Sequence, residues 1–278
     1  MFPGPLNVST PLEHMGVANR ADTLVTPRRT GRCGASTLSR SRFCAAWSYA
    51  LLVLAVCQFP SSVRAEVDQD AGLWLMALGQ GSVGAPETAL AKWRWWLDMQ
   101  PRFTEDADGF HQALVRPGLG YAFDENISLW LGYAWVRTEQ SEGGHTDEHQ
   151  IWQQLLWTPR VSQFSLTSRT RLEQRFLEHA NGTGWRFRQL FNAKYPVAFR
   201  DRLFLSAYDE LFFDLNDTDW GQRAGFSENR LFAGLGWSID GGGRVRVEAG
   251  YLNQFLNRAS ADRMNHILSL NLFLNFNR

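Results

Sequence analysis

Arginine and glutamate recur at every second position through the middle of this chain. Arg169, Arg171, Glu173 and Arg175 form one run, Arg186 and Arg188 a second, and Arg244, Arg246 and Glu248 a third, with Glu210 and Arg230 between them. A period of two puts side chains on one face of a β-strand. Guanidinium and carboxylate groups gathered on one face support two kinds of chemistry. They can pair across neighbouring strands and lock one another in place, or surplus arginine can hold a phosphate or carboxylate through paired N–H donors. These residues form the candidate ligand-binding set.

Other chemistry is thin. His145 and His149 have a His-x-x-x-His spacing beside Asp147 and Glu148, which would suit a metal on a helix. Flanked by Gly143 and Gly144, the segment reads instead as a loop, and no metal is assigned. A Ser-His-acid group could cleave lipid, but no motif brings a serine towards His179 or His266. There is no phosphate loop or dinucleotide fingerprint. Asn181-Gly182-Thr183 matches a glycosylation sequon and reads as a turn. The sequence therefore assigns no catalytic residue and no cofactor.

The charged runs need strands to hold them, and alternation supplies these. Strands are expected near 72–79, 89–103, 110–122, 127–138, 149–158, 163–178, 185–195, 202–213, 228–238, 243–255 and 264–276. In the last, Leu268, Leu270, Leu272, Leu274 and Phe276 share one parity, with Ser269, Asn271, Phe273 and Asn275 on the other. Segments 127–138 and 228–238 repeat the pattern with Leu129, Leu131, Tyr133 and Trp135, and with Leu231, Ala233, Leu235 and Trp237. A length near 9–11 residues with aromatic ends is what a strand crossing a bilayer at a tilt requires. Arginine facing lipid at mid-depth would cost about 2–4 kcal/mol, so the charged parity points inward. Asp124-Glu125-Asn126, Thr158-Pro159-Arg160-Val161, Phe199-Arg200-Asp201 and Asp240-Gly241-Gly242-Gly243 are short turns, while 139–148, 179–184, 214–227 and 256–263 are longer polar loops. The expected fold is all-β, a closed antiparallel transmembrane β-barrel of 10–12 strands. Because single-chain bacterial barrels are even-numbered, the eleven segments imply ten strands or twelve.

Residues 1–65 read as a leader. Arg40 and Arg42 precede an apolar stretch over 43–59, and Val63-Arg64-Ala65 makes a cleavage motif, so the signal peptide is expected to be cut after Ala65. A membrane anchor, or acylation at Leu54-Ala55-Val56-Cys57, is the competing reading. Cys33, Cys44 and Cys57 all fall in this leader, which excludes disulfides and cysteine chemistry from the rest. Removing the leader's seven basic and two acidic residues from 28 of each leaves 21 basic against 26 acidic, a net charge of −5. Nucleic acid, which demands a basic surface, is not an expected partner. Residues 66–278 then form one barrel domain.

Short motifs in a fixed order carry a family resemblance. They are Arg171-Leu172-Glu173-Gln174-Arg175, Trp185-Arg186-Phe187-Arg188-Gln189-Leu190, Tyr208-Asp209-Glu210-Leu211-Phe212, Asn229-Arg230-Leu231-Phe232-Ala233-Gly234-Leu235-Gly236, Gly250-Tyr251-Leu252-Asn253 and Asn265-His266. From about Gly72 to Phe276 the chain resembles the bacterial family called "domain of unknown function 2490", which is similar to small outer-membrane barrels of Gram-negative bacteria. The resemblance implies no substrate, cofactor or catalytic residue. It departs from the usual barrel pattern in one respect: Asn277 and Arg278 follow Phe276, where an aromatic end is read by the insertion machinery. The sequence thus points to an outer-membrane protein with an Arg/Glu-lined lumen. The expected partners are outer-membrane lipid, the barrel-insertion machinery during biogenesis and, in the binding or pore reading, a small anion; the expected role is structural, pore-like or binding. A lipid hydrolase or acyltransferase working at the barrel rim is the alternative.

Overall fold

The computed structural model describes residues 67–104, 109–140, 143–197, 202–240 and 242–276. The leader lies outside these residues. The strands are β1 (Asp68–Ser82), β2 (Trp93–Thr104), β3 (Gly109–Ala122), β4 (Ile127–Glu139), β5 (His145–Trp157), β6 (Arg160–Val161), β7 (Phe164–Leu177), β8 (Gly184–Pro196), β9 (Leu203–Asp214), β10 (Gly225–Ser238), β11 (Val245–Leu256) and β12 (Arg263–Phe276). β6 is a two-residue ribbon on β7, and β5 pairs directly with β7, so eleven long strands close the barrel among the described residues. One 3-10 turn, Ala89–Lys92, precedes β2, where the sequence pattern had suggested strand from residue 89.

Ten or twelve strands follow from parity only if every neighbour is antiparallel. One seam breaks that condition. β1 pairs with β12 in parallel, from Asp68↔Arg263 to Gly81↔Phe276, whereas each of the other long pairings is antiparallel. A closed cylinder with one parallel seam must have an odd number of strands, and eleven is that number. The connections divide between two rims. The facing ends of β2 and β3, β4 and β5, β7 and β8, β9 and β10, and β11 and β12 make the loop rim, and those of β1 and β2, β3 and β4, β5 and β7, β8 and β9, and β10 and β11 the turn rim.

Alternation sorts the side chains. Outward-facing apolar residues remain exposed from β2 round to β12, including Met99, Leu119, Leu131, Leu155, Phe191, Leu205, Leu231, Val247 and Leu268. The inward parity is buried and mixed. One apolar cluster joins Trp96, Trp130, Ala134 and Trp152, with Leu78 and Leu156 against it. A second joins Phe232, Leu252 and Ile267, with Trp74 and Tyr208. Among the described residues no helix is long and apolar enough to cross a membrane; this says nothing about strands.

Two local devices let large rings fill a narrow cylinder. Between Val115↔Trp135 and Gly118↔Gly132 the β3–β4 ladder is interrupted, and continuing the register puts Pro117 opposite Tyr133. Proline has no N–H to offer. The Tyr133 carbonyl instead accepts the Trp152 indole N–H at 3.1 Å. Room for that ring comes from Gly118 and Gly132, where a Cβ would run into Trp152. Gly132→Val therefore overpacks the interior and is expected to cost about 1–3 kcal/mol, read as a lower thermal midpoint of the folded barrel in detergent.

Candidate functional site

Inward-facing charges on β7, β8 and β9 meet in one network. Glu173 accepts from Arg186 at 2.7 and 2.8 Å and from Arg188 at 2.7 Å, with Arg171 at 3.6 Å. Glu210 accepts from Arg188 at 2.8 and 3.0 Å and from Arg169 at 2.8 Å. Arg171 also donates to Gln154 at 2.6 and 3.0 Å and lies 4.8 Å over the Trp152 ring. Arg116 pairs with Asp98 at 3.0 Å, and Arg175 grips Glu148 through two bonds at 2.6 and 2.8 Å. Arg171, Glu173, Trp152, Phe232 and Leu252 have no exposed surface at all, and Phe212 retains 1%. At this depth these side chains are buried against one another across the interior.

Above this layer, towards the loop rim, lies a cavity of about 250 Å³. Its walls come from the loop-rim ends of the strands. Eight arginines line it (Arg102, Arg116, Arg175, Arg186, Arg188, Arg230, Arg258 and Arg263) against two glutamates, Glu148 and Glu228. Trp74 lies in the same wall, with the guanidinium groups of Arg102 and Arg230 at 4.0 and 4.9 Å from its ring centre. Arg230 pairs with Glu228 and Arg263 with Asp70. Arg102 donates to the neutral amides of Gln112 and Gln100, at 2.7 Å each, and among the described residues has no carboxylate partner. The chemical capacity of this wall is oxyanion binding by guanidinium forks.

The structure brings Arg169, Arg171, Glu173, Arg175, Arg186, Arg188, Glu210 and Arg230 into this one region. Arg246 and Glu248 lie apart from it, in the turn-rim half. There Glu248 is taken by Lys194, and Arg246 sits 5.6 Å over Phe273. Arg244, expected on the inner face, is an exposed residue in the turn before β11, where its backbone N–H bonds to Asp240 at 3.1 Å. His145 and His149 also depart from expectation: both lie in β5 rather than in a loop. His149 Nδ1 is 2.5 Å from the Tyr133 hydroxyl, and among the described residues no group of three potential ligands could hold a metal.

Sequence reasoning does not single out Arg102, Arg116, Arg258, Arg263, Glu228 or Trp74, and it places Glu148 only beside a weighed metal group. A signal was present for the first. Trp96, Asp98, Gln100 and Arg102 alternate with Trp95, Leu97, Met99 and Pro101, the same polar-in pattern as the middle strands. Arg258 and Arg263 had none, since one lies in the loop before β12 and the other opens that strand.

Comparison with known proteins gives a family without a function. The chain is similar to an uncharacterized protein of Methylorubrum extorquens, 36% identical over 234 residues, covering 81% of this chain and 97% of that protein. No solved structure matches. The family model described as "Protein of unknown function (DUF2490)" matches residues 71–265, within strands β1 to β12, and the chain belongs to that family.

Proposed function

We propose that this protein is an outer-membrane β-barrel of a Gram-negative bacterium, closed across its middle, that serves as a binding or structural element at the loop rim rather than as a conducting pore or an enzyme. The observation that carries the location is the outer face. Exposed apolar side chains continue around the wall, and rings gather near both rims. Trp93, Tyr121, Phe123, Trp157, Phe164, Tyr195 and Trp237 stand at the turn rim, with Phe110, Phe176 and Trp185 at the other. A soluble barrel has no reason to surround itself with exposed leucine, whereas an apolar band between aromatic girdles suits lipid.

Polar groups on that face also answer the demand of a bilayer for internal partners. Gln153 and Gln174 exchange two bonds of 2.9 Å, Thr170 donates to Gln189 at 2.6 Å, and Asn229 donates to Asp209 at 2.5 Å. The leader read from the sequence supplies the export route.

Fractionation of cells expressing the full chain tests the location. Recovery with the outer membrane, extractable only by detergent, is expected; recovery with soluble periplasmic contents would overturn it. Planar-bilayer recording tests the closed lumen. Purified protein is expected to give no steady conductance, and stable anion-selective steps would restore the pore reading.

A further inference from the structure

We propose that the loop-rim cavity is a binding site for a compact phosphate-bearing anion, held between Arg102 and Arg230 over the Trp74 ring. This rests on the binding role read above, but on different observations. First, the wall is unbalanced, with eight arginines against two glutamates. Even when the carboxylates that pair with these arginines from outside the wall are counted (Asp70, Asp98, Glu173 and Glu210), the positive groups remain in excess.

Second, two guanidinium groups converge on one ring although like charges repel. Arg102 has only neutral amide partners there, while Arg230 has a single carboxylate. Third, buried donors in this wall lack partners. Arg102 is 8% and Arg116 3% exposed, and the Nε–H of each makes no hydrogen bond. An unmet buried donor is costly and uncommon. An oxyanion between the two groups over Trp74 would answer the charge and take up donors together.

Size and geometry narrow the ligand. A volume of about 250 Å³ lies just below the usual range of ligand pockets, roughly 300–1,000 Å³, and so suits a phosphate or pyrophosphate unit rather than a whole nucleotide. A phosphate group offers three acceptor oxygens and up to two charges, which two forks and a surplus of positive charge match better than a single carboxylate does. Arg258, exposed in the loop before β12, stands at the mouth, where its charge draws anions inward. The phosphate can belong to a free solute or to a lipid headgroup.

The test uses the full chain purified as a folded barrel in a zwitterionic detergent. Calorimetric titration with inorganic pyrophosphate is expected to show saturable binding that weakens as sodium chloride rises, with a change in tryptophan emission that Trp74→Phe removes. Arg102→Gln and Arg230→Gln are each expected to weaken binding about tenfold or more, the scale of one charge-assisted contact. Should either fail to fold, Arg258→Glu, which is exposed, still weakens it measurably. Arg223→Gln, an exposed residue outside the wall, leaves it unchanged. Displacement of pyrophosphate by micelles containing phosphatidic acid would assign the headgroup as the source; no displacement would assign the solute. A folded barrel that takes up no pyrophosphate at millimolar concentration, binds citrate more tightly, or binds equally well after Arg258→Glu overturns the proposal. None of these outcomes depends on cell fractionation or conductance, so the two readings fail separately.

Discussion

Glu173→Ala is expected to cripple folding of the barrel, at a cost of about 3–5 kcal/mol, the range for stripping one partner from a buried ion pair. Glu173 has no exposed surface, and its two oxygens take three bonds of 2.7–2.8 Å from Arg186 and Arg188. Without it, those guanidinium groups and that of Arg171 stay buried with their counter-charge gone. Glu173→Gln keeps the shape and some hydrogen bonding but still loses the charge, so it should fall between the parent and Ala. The measure is the urea midpoint of the folded form in detergent. Arg223→Gln gives the scale for a solvated pair: Arg223 and Asp217 are 3.7 Å apart and 70% and 63% exposed, and such pairs contribute roughly 0–1 kcal/mol. Equal midpoints for Glu173→Ala and Arg223→Gln would mean the central network is not the lock that its geometry describes.

Leu131→Arg on β4 separates a wall in lipid from a wall in water. Leu131 is 57% exposed and faces outward, midway along its strand. In water, exchanging an exposed leucine for arginine changes stability by less than about 0.5 kcal/mol. At the middle of a bilayer the same change costs about 2–4 kcal/mol. The variant is therefore expected to accumulate poorly in the outer membrane and to unfold from lipid vesicles at clearly lower urea. Leu131→Ile is the neutral control. Normal stability of Leu131→Arg in vesicles would place this face outside the hydrocarbon.

How much of this was legible depends on which residues carry the information. Alternation in 127–138, 228–238 and 264–276 is local, and the strands and their outward faces follow from it directly. The ladder from Arg169 to Arg175 was readable for the same reason. The parallel seam was not, because nothing in Leu73-Trp74-Leu75 states that it will lie beside Leu268-Ser269-Leu270; that register joins the first strand to the last. His145 to Glu148 read as loop since polar residues that extend a strand towards a rim carry no apolar alternation. Arg244 looked inward by parity, but Asp240 binds the backbone N–H groups of Arg244 and Val245, and this turn delays the strand. The cavity was the least legible feature. Arg102, Arg230 and Trp74 come from three strands and meet only because the sheet closes.

The lone parallel pairing also gives the cylinder a sense of direction. Asp68 opens β1 beside Arg263, where long connections gather, whereas Phe276 finishes at the opposite end. The polypeptide of the wall thus enters at one rim and leaves at the other, unlike an even-numbered antiparallel cylinder, which returns its two tails to the same rim. With the barrel in the outer membrane as proposed, short epitopes placed just ahead of Asp68 and just behind Phe276 should be met by antibodies from opposite sides, one on intact cells and the other only after lysis.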